Sequence, residues 1–237
     1  MPEQGKVLAV IPARGGSKGI PLKNLAAVGG MTLLARTLEL ARQIPEFASV
    51  CVSTDHETIK DAARQFGDVV VVDRPQELSG DRVGDVPVLQ HAVEEMEMHS
   101  GDVFNTIVML QVTSPLRTKA DITSCLELLE SDECDAVWTV SPTELHYHPL
   151  KQISLGGDAA LSLYDEKGAG IIARQELEPV FHRNGCCYAM TRSFLMKTTS
   201  LFSPGRTRAV VSDGRRVNID GPEDIDEAER LLNLEKH

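Results

Sequence analysis

The run Val7-Leu8-Ala9-Val10-Ile11-Pro12, followed by Ala13-Arg14-Gly15-Gly16-Ser17-Lys18-Gly19-Ile20-Pro21-Leu22-Lys23-Asn24, decides the reading of the fold. Its first six residues are apolar without alternation, the pattern of a strand buried on both faces, as in a parallel sheet. The segment that follows packs three glycines, three cations and a serine into one loop. In open parallel sheets ligands bind at the carboxyl ends of the strands. Glycines let the backbone approach a phosphate and aim N–H groups at it, while Arg and Lys neutralise its charge. The loop lacks both G-x-x-x-x-G-K-[ST] and G-x-G-x-x-G, so it is neither a Walker loop nor a dinucleotide fingerprint.

Outward from this loop, strand and helix patterns alternate. Strands are predicted at Ser49–Ser53, Val69–Val72, Thr106–Leu110 and Ala136–Val140. Between them, helices are predicted at Met31–Ile44, with Leu34, Leu38 and Ala41 on one stripe; after Asp55, read as an N-cap; at Val86–His99; and at Ala120–Glu130. Such alternation implies crossover units and a mainly parallel sheet with helices on both faces. The rhythm breaks at Ser141–Phe181, read as an insertion that leaves the sheet and returns at Cys186–Met190. A strand near Ala209–Val211 and a helix at Pro222–Leu234 close the chain, with Pro222 in the first helical turn.

The 237 residues suit one domain, 1–237, with 141–181 as its insertion. Apolar residues make up 42% and charged residues 25%, ordinary for a globular chain with its own core. No apolar run is long enough for a membrane span, and the first apolar stretch runs into the glycine loop instead of a cleavage site. The expectation is a cytoplasmic protein with no membrane contact. The net charge of −11 argues against nucleic acid as a partner, but a few focused cations can still dominate one cleft and draw in an anionic small molecule. Five cysteines with no C-x-x-C read as reduced thiols, and His146 and His148 beside Tyr147 read as packing rather than metal ligands.

The segment Arg14–Asn24 closely resembles the signature of the CMP-sialic acid synthetases (acylneuraminate cytidylyltransferases). The resemblance continues through Val52–Asp55, Arg74–Leu78, Leu110–Arg117, His148–Lys151, Arg183–Gly185 and Ile219-Asp220, in order and over essentially the whole chain. It implies a three-layer αβα, Rossmann-like nucleotide-diphospho-sugar transferase fold, a homodimer built partly by the insertion, and Mg²⁺ as cofactor. The implied reaction moves CMP from CTP to the anomeric hydroxyl of a sialic-acid-like nonulosonate, a nine-carbon 2-keto sugar acid, and releases pyrophosphate.

By position, the resemblance places Arg14, Gly15, Gly16, Ser17, Lys18, Lys23 and Asn24 around the CTP phosphates and ribose, with Arg74 and Asp85 also at the nucleotide. Gln111, Lys151, Arg174, Asn184 and Tyr188 would line the sugar site, with Lys151 reaching the partner's cleft if the insertion is swapped over. Arg14, Lys23 and Asp220 would be catalytic. The chemistry agrees: attack on an α-phosphate is an in-line displacement governed by positioning and electrostatics. Arg14 suits the departing pyrophosphate, Lys23 the charge on the α-phosphate, and Asp220 a hard cation. Residue by residue, plainer roles stand beside these: a buried Gln111 can serve only the backbone, Ser114 can start a turn, and Glu223 and Asp224 answer the dipole of the last helix.

Two positions depart from the family pattern. Asn218-Ile219-Asp220 stands where the family has Asp-x-Asp, so Asn218 keeps an oxygen ligand and loses a charge. Asp85, in Gly80-Asp81-Arg82-Val83-Gly84-Asp85, replaces a small hydroxyl. These departures leave two alternatives: the same chemistry on another keto sugar acid (legionaminate, pseudaminate, deaminated neuraminate or an eight-carbon acid), or a non-catalytic nucleotide-binding homologue.

Overall fold

A computed structural model describes residues 5–131 and 133–234. In chain order its strands and longer helices are β1 (Lys6–Pro12), β2 (Ala27–Val28), β3 (Met31–Thr32), α1 (Leu33–Ala41), β4 (Phe47–Thr54), α2 (Glu57–Arg64), β5 (Val70–Asp73), α3 (Asp85–Ser100), β6 (Phe104–Met109) and α4 (Lys119–Ser131). After these come β7 (Ala136–Pro142), β8 (Ile153–Leu155), β9 (Leu161–Leu163), β10 (Phe181–Thr191), α5 (Arg192–Leu195), β11 (Thr207–Val211) and α6 (Pro222–Leu234).

Seven strands form one sheet in the order β11-β7-β10-β6-β1-β4-β5. Every pairing is parallel except those of β10, which runs antiparallel to β6 and β7. The central strand β1 alternates its side chains between two cores. Leu8 and Val10 face α3 and α5, packing with Leu89, Val93, Met96 and Leu195. Ala9 and Ile11 face the other helices, packing with Leu34, Leu38, Ile59, Ile122 and Ala228. All four β1 side chains are fully buried, which accounts for the unbroken apolar run. This is the expected three-layer αβα arrangement with a mainly parallel sheet.

Some local expectations need correction. The first helix starts at Leu33 rather than Met31, because Met31 and Thr32 pair with Val28 and Ala27. The Thr32 hydroxyl then accepts from the Ala35 amide at 3.2 Å as the cap. His56, not Asp55, is the N-cap residue of α2. The chain re-enters the sheet at Phe181, five residues before the predicted return. Phe181, His182 and Arg183 pair with Pro142, Ser141 and Val140 in an antiparallel arm whose polar, exposed residues hide the strand pattern. Between the two sides of that arm lie short 3₁₀ turns and the β8–β9 hairpin. Asn218 and Asp220 lie in irregular chain rather than a strand, Asp220 at a bend. Ile219 is buried between them, its amide donating to the Thr113 carbonyl at 2.8 Å, while both polar residues are exposed.

This topology sets the site. β1, β4 and β5 succeed one another outward, and the chain then crosses through α3 to β6 on the other side of β1. The order reverses between β1 and β6, and the carboxyl ends of strands at such a reversal open a crevice.

Candidate active site

A cleft of about 310 Å³ opens at that reversal. The glycine loop after β1 lines it with Arg14, Ser17, Lys18, Lys23 and Asn24; the end of β5 supplies Arg74; the loop into α3 supplies Gly80, Asp81 and Asp85; the end of β6 supplies Gln111. Seven residues expected at the nucleotide or in catalysis, Arg14, Ser17, Lys18, Lys23, Asn24, Arg74 and Asp85, together with Gln111, therefore meet in one place.

The loop is held in shape by contacts on its outer side. The Gly15 amide donates to Oδ1 of Asp55 at 2.9 Å, so the carboxylate read from sequence as a helix cap instead pins the phosphate loop. A side chain at Gly15 would place its Cβ 2.6 Å from the His56 ring, and one at Gly19 would collide with the Asp220 carbonyl. Only glycine lets the loop lie this close to α2 and to the 218–221 segment. Buried Asn24 donates from Nδ2 to the Arg14 carbonyl at 2.8 Å, so it shapes the loop from within. Leu22, at φ 47°, adopts the left-handed conformation just before Lys23 and turns the chain there.

Three cations of the loop are already matched to carboxylates. Asp81 lies 3.0 Å from Arg14 and 2.7 Å from Lys18, and Asp220 lies 2.9 Å from Lys23. The Lys18 ammonium, helped by Arg14, holds the Asp81 carboxyl below the usual carboxylate range. Arg74 is buried, and its Nε and Nη2 donate to the Ser53 hydroxyl and carbonyl at 3.1 and 2.7 Å. Burial lowers its pKa, and its guanidinium is anchored at the rear wall of the cleft. Asp85 is the first residue of α3. Desolvation pushes its carboxyl above the usual range, against the opposing pull of Arg183 and Arg74.

On the β10 side, buried Tyr188 pairs with Met109 and packs edge-on against Trp138 at 5.5 Å. Burial raises the pKa of its phenol. Arg183 stacks over the same indole at 5.7 Å. Buried Asn184 spends its side chain internally, donating to Ser141 Oγ at 3.0 Å and Ser212 Oγ at 2.8 Å and accepting from the Cys186 amide at 3.1 Å. In this chain it braces β10 and does not line the cleft. Lys151 and Arg174 are exposed on the insertion, and neither lines this cleft.

Sequence reasoning missed Asp55, Asp81 and Arg117. Arg117 is buried and donates to the carbonyls of Gln111 and Cys186, tying the end of β6 to β10. All three lie in segments already singled out, but a partner dozens of residues away leaves no local signal for any of them.

Among the described residues no group of three or more His, Cys, Asp or Glu forms a metal cage. Asp220, beside Lys23, and Asn218, two residues before it, are both exposed and each carries an oxygen donor. That set suits a hard cation that takes one or two protein oxygens and completes its shell with substrate phosphates and water.

The model of the family described as "Cytidylyltransferase" matches residues 8–236. The chain belongs to the cytidylyltransferase family. As a cytidylyltransferase it is a nucleotidyltransferase. Similar proteins include a CMP-N,N'-diacetyllegionaminic acid synthase of Legionella pneumophila, 30% identical over 97% of this chain and 97% of the relative. A post-translational flagellin modification protein B of Campylobacter coli is 26% identical over 96% and 95%. An N-acylneuraminate cytidylyltransferase of Streptococcus agalactiae is 30% identical over 84% of this cytidylyltransferase, which spans 46% of that relative's length. Among solved structures, a CMP:2-keto-3-deoxy-manno-octonic acid synthetase complexed with CTP superimposes with TM-score 0.70 at 18% identity, covering 97% and 99% of the two chains. That likeness is one of fold. No helix among the described residues is long and apolar enough to cross a membrane.

Proposed function

We propose that this cytidylyltransferase transfers CMP from CTP to the anomeric hydroxyl of a sialic-acid-like nonulosonate and releases pyrophosphate. The observation that carries this reading is the convergence of Arg14, Lys18, Lys23 and Arg74 in one cleft of a cytidylyltransferase. Relatives are named for legionaminic acid, pseudaminic acid and N-acylneuraminate, all of them nine-carbon keto sugar acids, which supports that acceptor class. Legionaminate and pseudaminate are accordingly the nearest alternatives to a neuraminate.

In this reading Arg14, Lys18 and the amides of Gly16 and Ser17 receive the β- and γ-phosphates, replacing the Asp81 carboxylate. Lys23 faces the α-phosphate, where charge grows as pyrophosphate departs. Arg74 approaches the cytosine, and Gln111 and Tyr188 border the acceptor. Asp220, with Asn218, would hold Mg²⁺, which when bound supplies positive charge to the phosphate oxygens. A protein of this kind works in the cytoplasm, where CTP is made.

We also propose that two copies pair through the insertion. Ile153 and Leu155 of β8 pair with Leu163 and Leu161 of β9, forming one apolar face whose four side chains are 41–73% exposed. Lys151, just before that hairpin, would then serve the second copy's cleft, and Arg174 the acceptor carboxylate. Pyrophosphate release from CTP, with and without a keto sugar acid, tests the reaction; release that ignores the sugar acid would refute it.

A further inference from the structure

Residues 212–221, which carry Asn218 and Asp220 from β11 to α6, form no regular element, so no hydrogen-bonded ladder fixes their position. Side chains and single amides do so instead. The Ile219 amide is held by the Thr113 carbonyl, and four residues before Asp220 the Arg216 side chain is buried. Its guanidinium donates from Nη2 to Oδ1 and Oδ2 of Asp121 at 3.3 and 3.0 Å, and the two side chains are only 4% and 3% exposed. Asp121 stands in the first turn of α4, where Thr118 also donates to it from its amide and hydroxyl at 2.8 and 2.9 Å. The charge of the same carboxylate reaches Arg117, whose guanidinium is bonded to the carbonyls of Gln111 and Cys186. One buried anion thus answers two buried cations. Arg117 joins the end of β6 to β10, and Arg216 holds the segment that presents Asp220 to Lys23.

We propose that Asp121 and Arg216 are positioning residues for the phosphate end of the cleft: their buried ion pair sets the place of Asp220 opposite Lys23. This rests on the reading of Lys23 and Asp220 given above. A cap on α4 accounts for the Thr118 bonds but not for Arg216, which comes from 95 residues away. Stability does not account for the pair either. Taking both charges out of water offsets much of their attraction, and apolar side chains of similar volume often replace such pairs without loss. What a guanidinium bonded to both oxygens of one carboxylate supplies is a fixed location. Location matters here because the segment runs against the phosphate loop: the Asp220 carbonyl leaves no room for a Cβ at Gly19. With Asp121 neutral, the Arg216 guanidinium would be a buried charge without a counterion and would move to water, drawing with it the irregular chain just before Asp220. The 2.9 Å contact of Asp220 with Lys23, and the oxygen that Asp220 offers a cation, would then lose their register with the loop.

The test compares the wild-type chain with Asp121→Asn, Arg216→Lys, the apolar pair Asp121→Leu with Arg216→Met, and Asp220→Asn as the reference. For each, three quantities are read: melting temperature, turnover with the best keto sugar acid, and protein-bound Mn²⁺ in the presence of CTP by electron paramagnetic resonance. The apolar pair should melt no lower than the wild type. It should nevertheless turn over about 10- to 100-fold more slowly and bind Mn²⁺ about 10-fold more weakly, the loss typical of groups that orient a ligand from behind. Asp121→Asn should show the same losses, and Arg216→Lys smaller ones, because an ammonium keeps the charge but not the two-bond geometry. Wild-type turnover and Mn²⁺ affinity in the apolar pair would overturn the proposal. If the apolar pair does not fold, the single variants decide: either of them folded, with both values unchanged, overturns it equally. So would turnover that falls only in step with melting temperature while Mn²⁺ affinity stays constant, the mark of a merely structural pair. Normal turnover and Mn²⁺ binding in Asp220→Asn would instead overturn the reading on which the proposal rests.

Discussion

The Lys23 ammonium lies 2.9 Å from the Asp220 carboxylate across 197 residues of chain. The pair joins the loop after the first strand to the segment before the last helix. Lys23 is the shielded partner, with its side chain 17% exposed, whereas that of Asp220 is 80% exposed. In the proposed reading Asp220 would turn toward a cation when CTP arrives and release Lys23 to the α-phosphate. The alternative, that Asp220 caps the last helix, does not hold. Asp224 performs that task, its Oδ2 accepting from the Asp220 and Gly221 amides at 2.8 Å each.

Lys23→Ala is expected to lower turnover by roughly 10²-fold or more, with a much smaller rise in the Michaelis constant for CTP, since the charge it meets grows in the transition state. Asp220→Asn should lose on the order of 10²-fold as well. Asn218→Asp should keep activity and reach half-maximal rate at lower Mg²⁺, because it adds an anionic ligand. Steady-state kinetics with a Mg²⁺ titration check all three. Near-normal rates from folded Asp220→Asn would remove the metal assignment.

Asp81 pairs with Arg14 and Lys18, the cations proposed to receive the triphosphate, so Asp81→Asn should tighten CTP binding about two- to five-fold at low salt, the scale of exposed ion pairs. The gain should shrink as ionic strength rises. Calorimetry at two salt concentrations measures it, and weaker binding by the variant would show that Asp81 assists the nucleotide.

Asn184→Ala is expected to act on stability, leaving the Ser141 and Ser212 hydroxyls and the Cys186 amide without their buried partner. The cost is on the order of 1–3 kcal/mol, or roughly 2–10 °C in Tm for a chain of this size. An unchanged Tm with a raised acceptor Michaelis constant would make Asn184 a substrate contact instead.

The hairpin face should bring two copies together. Light scattering at micromolar concentration is expected to give twice the chain mass, and Leu155→Asp with Leu161→Asp should give one. A single chain mass for the wild type would refute the pairing.

The legible parts of this molecule are those in which the physics is local. β1 could be read because both faces of a central parallel strand are buried, and α6 because its stripe is amphipathic and Pro222 marks its start. The phosphate loop could be read because the residues that contact an anion are adjacent in sequence. Asp55 could not: a carboxylate before a helix looks like a cap, and only the return of β4 beside β1 brings it to Gly15. Arg117 was hidden for the same reason, since its carbonyl partner on β10 is 69 residues away. The arm formed by Phe181–Arg183 escaped notice because it is paired but unburied, and unburied strands carry no hydrophobic alternation.

The central claim is the transfer of CMP to a keto sugar acid. Its most direct measurement is pyrophosphate release with Mg²⁺, each of the four nucleoside triphosphates, and a panel of neuraminate, legionaminate, pseudaminate, deaminated neuraminate and an eight-carbon keto acid, with mass spectrometry of the products. Rapid release is expected with CTP and at least one nine-carbon acid, with formation of the matching CMP-sugar and little release with ATP, GTP or UTP. Equal release from ATP with an accepted acid, or no CMP-sugar from any member of the panel, would contradict it.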